Sequence, residues 1–176
     1  METVTEAREK IFSEVISDDN SVRAEYLKHF QQDIQQFSTA MAEAVMRWQA
    51  FYRAVEDSER GRRVAALVMT AITLHVVSMK LMISGCTVAA GNLMRQVLEA
   101  IAVAFLCSNQ ELGILDQFID GRYSTKKAVR HVIQQARRLG LVKEGVIQLD
   151  RAQNFYHQYS HVSILTIAAG LRLDDQ

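Results

Sequence analysis

Arg95 and Glu99 stand four residues apart within 88–107, a run whose other strongly polar side chains are only Asn92 and Gln96. On a helix that spacing stacks the two charges on one face. The residues after Glu99 read Ala-Ile-Ala-Val-Ala-Phe-Leu-Cys, and a helix apolar all round is a buried one. Charges drawn into such surroundings must be paired and hydrogen-bonded. The pair therefore reads either as an internal ion pair that fixes helix register or as charge held in place for chemistry. A second group lies further on. Asp150, Asn154, His157 and His161, spaced four, three and four, make one polar stripe on a helix. The stripe runs into the apolar segment 162–167. Its histidines read as hydrogen-bonded core groups, partners of Arg95 and Glu99, or as general bases. A third group is electrostatic. Arg122, Lys126, Lys127, Arg130, Arg137, Arg138 and Lys143 fall in 121–143, which holds no acidic residue. Such a face is either a solvated helix side or a hold for a phosphate backbone.

Arg151 and His157 have five residues between them. An Arg followed after four to six residues by a His resembles the signature of HEPN-like helical bundles, many of which are metal-independent ribonucleases. Ala90-x-x-Leu93-x-Arg95-x-x-x-Glu99, followed by the Tyr/Ser/His cluster at 156–161, is similar to a set of uncharacterised bacterial helical proteins related to that superfamily. This likeness covers about the second half of the chain and carries no assigned activity. For a ribonuclease the resemblance implies that Arg95 or Arg151 steadies the charge developing on phosphate, beside Glu99. His157 or His161 then acts as general base. Arg122, Lys126, Lys127, Arg130, Arg137 and Arg138 would hold the RNA backbone.

A metal reading stands beside it. His157 and His161, at i and i+4, can bind one ion together with His75 or Glu99 from another helix. The His-x-x-x-His pair resembles that of DinB-like bundles. No Glu-x-x-His occurs, which argues against a di-iron carboxylate site. No metal and no cofactor are expected. The leading expectation is non-catalytic: a homo-oligomeric interaction or regulatory module, a homodimer, with RNA as the alternative partner.

The elements that must position these residues are helical. There is no proline in 176 residues, and proline is the usual helix breaker. Thr3 and Glu6 match a capping box at the head of a helix over 1–17, with Ile11, Phe12 and Val15 as a modest apolar face. A break at 17–21 precedes a long helix over about 22–57. Leu27, Phe30, Ile34, Phe37, Met41, Ala44, Trp48, Phe51 and Val55 step by three and four, an a/d seam over four heptads. The flanking positions lack the charge pairs of a free coiled coil, so the seam reads as bundle packing within a chain or a dimer. Next comes an apolar hairpin, 64–83 and 88–107, around Gly85, each arm too apolar to face water on any side. Asn109 caps a short helix over 110–119. Ser124 caps another to about Leu139, stopped by Gly140. The last helix spans about 144–170.

The fold class expected is all-α: one domain over 1–176, a bundle of five to seven helices with a central apolar hairpin. Its 49% hydrophobic content suffices for a core, and the formal net charge is +0, so attraction to nucleic acid must be local. Both hairpin arms are long enough to span a membrane. His75 and Lys80 in one arm, with Arg95 and Glu99 in the other, argue for a soluble hairpin. No n-region and h-region open the chain, and cytoplasm is the location expected. Cys86 and Cys107 read as small core hydrophobes.

Overall fold

The computed structural model describes residues 3–160. Those residues form seven α-helices and three 3-10 turns, and no strand occurs among them. The helices are α1 (Val4–Ile16), α2 (Asn20–Ala54), α3 (Glu59–Ile83), α4 (Thr87–Ser108), α5 (Ile114–Ile119), α6 (Ala128–Gln135) and α7 (Lys143–His157). The turns are Gln110–Leu112, Thr125–Lys127 and Gln158–Ser160. The protein is an all-α bundle.

Local chemistry starts and stops these elements. At the head of α1 the Glu6 carboxylate accepts from the Thr3 N–H at 2.7 Å, and the Thr3 hydroxyl accepts from the Glu6 N–H at 3.3 Å. That is the reciprocal capping box. Ser58 caps α3, its hydroxyl accepting from the Gly61 N–H at 3.0 Å. Gly85, at φ +81°, makes the left-handed turn between α3 and α4 that a side chain would strain.

The hairpin of α3 and α4 is antiparallel. The Ser78 hydroxyl donates to the Ala90 carbonyl at 2.8 Å near the turn, and Arg60 donates to the Cys107 carbonyl at 2.9 Å at the open end. α4 is the true centre. It packs against α3, α5, α6, α7 and all three 3-10 turns. Leu98, Ala102, Val103, Leu106 and Cys107 of α4 form one core with Val64, Ile114, Leu115, Ala128, Val129 and Val132.

The other arm differs from expectation. α3 does face water: Val76 and Val77 are 46% and 40% exposed. Both α3 and α4 are long and apolar enough to cross a membrane, yet half of α4's most apolar window is buried by protein against 11% of α3's. The heptad seam is also only half covered. No residue of α2 is buried, and Leu27, Phe30 and Phe51 on the seam are exposed. α2 lies antiparallel along α3. Arg23 donates to the Ser84 hydroxyl at 3.0 Å and the Trp48 indole donates to the Ala65 carbonyl at 2.8 Å. Its backbone leaves helical geometry at Phe30 (φ −118°, ψ 21°). α1 packs substantially on no other described element.

Two further boundaries shift. Residues 124–139 are not one helix: Thr125–Lys127 winds as a 3-10 turn, α6 ends at Gln135, and the Ser124 side chain makes no capping bond. α7 ends at His157, and the remainder of the helix expected over 144–170 lies beyond Ser160, outside the described residues. Cys86 is exposed rather than a core group, while Cys107 is buried.

Candidate functional site

Gly91, Arg95 and Glu99 repeat at intervals of four on α4, and so share one face. Arg95 Nε donates to Glu99 Oε1 at 3.1 Å, with the two side chains 24% and 19% exposed. The other Glu99 oxygen accepts from the Thr125 hydroxyl at 3.3 Å. Both carboxylate oxygens therefore have a partner, as a charge this far from bulk water requires. One turn before Arg95, Tyr159 packs against the helix at Gly91. A Cβ on Gly91 would stand 2.4 Å from Tyr159 Cγ, so only glycine admits the ring there. Tyr159 belongs to an aromatic cluster with Phe155 and Tyr156, the ring centroids 5.8 and 6.2 Å from its own. Burial, and then the neighbouring Tyr159, hold the Tyr156 phenol above its ordinary pKa. The charged pair of α4 and the aromatic end of α7 are thus brought to one flank of the bundle.

The structure does not bring all the sequence candidates together. Arg151 and His157 are both exposed on α7. Six positions on a continuous helix set their side chains about 120° apart. His161 lies outside the described residues, so the His157/His161 pair is half described. Arg122, Lys126, Lys127, Arg130, Arg137 and Arg138 are all exposed, spread from the loop before the 3-10 turn to the turn after α6. Arg122 is already held by Asp120 at 2.5 Å. Among the described residues no group of three His, Cys, Asp or Glu is arranged to hold a metal. His75, a candidate third ligand, sits instead between α2 and α3, its ring edge-on to Phe37 at 5.0 Å. Burial lowers its pKa.

His75 marks a second feature that the sequence reading missed. Between α2, α3 and α4 lies a groove of about 480 Å³. Met41, Trp48, Phe51, Val68, Ile72 and Phe105 give it an almost wholly apolar lining, and Arg47, His75 and Ser108 are its polar members. Tyr159 and Thr125 were also missed as partners of α4. A signal for Tyr159 was available: a glycine inside an apolar helix costs about 1 kcal/mol against alanine and implies a close packing approach. Thr125 left no such mark.

Comparison with protein-family models, with curated proteins and with solved structures gives no match.

Proposed function

We propose that this protein is a non-catalytic association module, a helical bundle that pairs with a second copy of itself through the apolar face of α2, α3 and α4. The observation that carries the reading is α2. It is a helix of 35 residues with none buried, although its seam of Leu, Phe, Ile, Met and Trp steps by three and four. Such a seam is built to be covered, and α3 covers one side of it only. The groove beside it adds contiguous apolar surface of the kind that marks an interaction site. Phe105 stands on its α4 wall, 40% exposed. Chemical cross-linking of the full chain at micromolar concentration is expected to trap a two-chain species. Phe105→Glu, which puts a charge on that wall without entering the core, is expected to abolish it. A parent chain that never cross-links would refute the reading.

A ribonuclease or RNA-binding role is the second reading. It is favoured by the Arg95–Glu99 pair beside the Tyr156/Tyr159 cluster, with an acid-free basic stretch on the same half of the chain. Incubation with mixed single-stranded RNA in chelator, comparing parent, Arg151→Ala, His157→Ala and His161→Ala, decides it. Cleavage lost in a folded His variant supports catalysis. Salt-sensitive binding without cleavage leaves a binding module. Neither result leaves association alone.

A further inference from the structure

We infer that the groove between α2, α3 and α4 binds one molecule of a medium-chain acyl carboxylate, its hydrocarbon lying along the trough and its carboxylate on Arg47. Such a ligand occupies the floor of the trough and leaves the rim to a second copy, so its binding stands independently of self-association.

Dimensions select the body of the ligand. The lining on α3 runs from His75 at one end to Val64 at the other, about 16 Å at the helical rise of 1.5 Å per residue. A volume of about 480 Å³ over that length gives a mean cross-section of about 30 Å². An α-helix with its side chains is about 10–12 Å across, or about 80–110 Å². Of a helix laid over the groove, only side chains can enter. A single hydrocarbon chain is about 4–5 Å across, given the spacing at which carbon atoms pack, and fits along the whole trough. Met41, Trp48, Ile72, Val97 and Ile101 then meet it from three helices. An apolar pocket of this size with a few polar groups is the usual form of a small-molecule site.

Charge selects the head. Arg47, His75 and Ser108 are the polar members of the lining. The Ser108 hydroxyl donates to the Phe105 carbonyl at 2.7 Å. Burial lowers the pKa of His75, which leaves the imidazole neutral at pH 7. Arg47 is thus the one fixed charge among the lining residues. Its partner Glu43 stands at 3.5 Å, the two side chains 83% and 63% exposed, an exposed pair of little worth. A carboxylate arriving from the groove side would take charge-assisted hydrogen bonds from the guanidinium. The bond from Trp48 to the Ala65 carbonyl sets Arg47 level with Ala66, about 13 Å along α3 from His75. At about 1.3 Å per carbon of an extended chain, that span holds about ten carbons.

Decanoate is the probe, with decanol as its uncharged counterpart. Binding to the full chain is followed by the emission of its single tryptophan, Trp48, which lines the groove, and by calorimetry for stoichiometry. Decanoate is expected to bind saturably, one per chain. Arg47→Gln, at an exposed position, is expected to weaken decanoate at least 10-fold and to leave decanol unchanged. Ala44→Phe, which fills the trough from α2, is expected to weaken both at least 10-fold, with far-UV circular dichroism to confirm equal helix content. A parent chain without saturable decanoate binding would overturn the assignment. Decanoate affinity unmoved by Arg47→Gln would overturn it equally, as would binding undiminished in a folded Ala44→Phe chain.

Discussion

Gly91 and Tyr159 set the tolerance of the flank that carries the charged pair. Gly91→Ala is expected to destabilise the protein by about 1–3 kcal/mol, the usual cost of overpacking. This runs against the roughly 1 kcal/mol that alanine ordinarily gains over glycine in a helix. In a Tyr159→Ala background the same substitution should become neutral or stabilising, and urea unfolding of the four variants at fixed protein concentration checks the reversal. Glu99→Ala removes a partner from Arg95 and from the Thr125 hydroxyl together. A loss of about 1–3 kcal/mol is expected, and a variant that unfolds at the parent's urea midpoint would show the pair to be idle. His75 gives a pH signature. Burial lowers its pKa in the folded chain, so above the unfolded value of about 6.5 both states are neutral and stability is unaffected. As pH falls through that value the unfolded chain takes up the proton first, and stability drops. Urea midpoints measured from pH 7.5 to 5 should fall in the parent, and fall less in His75→Phe.

At the scale of elements, the starts and stops of helices were legible because their causes are local. The Thr3–Glu6 box, the Asn109 cap and the breaks at Gly85, Gly121 and Gly140 depend on residues within a few positions of one another. Ser58→Ala tests one further local device: loss of the hydroxyl that holds the Gly61 N–H should cost about 1 kcal/mol and lower the melting temperature. Ser124 shows where local reasoning failed. The apolar spacing of Val129, Val132 and Ile133 is helical, but Thr125 is drawn toward Glu99 of α4, and the chain winds as a 3-10 turn before α6 begins. The partial burial of Arg95 and Glu99 was legible from the apolar run that follows them. Their partners were not, since Thr125 and Tyr159 arrive from distant segments. The exposure of α3 was misread for a general reason. An apolar pattern says that a face must leave water; it does not say which chain covers it.

Among the described residues the molecule is a bundle with a well-packed half and a bare half. α4 to α7 share a closed core, whereas α1, α2 and the outer side of α3 expose Phe12, Val15, Leu27, Phe30, Phe51, Val76 and Val77. A monomer would hold that surface against water at a cost of roughly 25 cal/mol per Å², and the proposed pairing would remove it. Sedimentation equilibrium of the full chain in detergent-free buffer, diluted through the micromolar range, tests this most directly. A mass of twice 19.9 kDa, falling toward the single-chain value only on strong dilution, is the predicted result. A mass of 19.9 kDa at every concentration would contradict it.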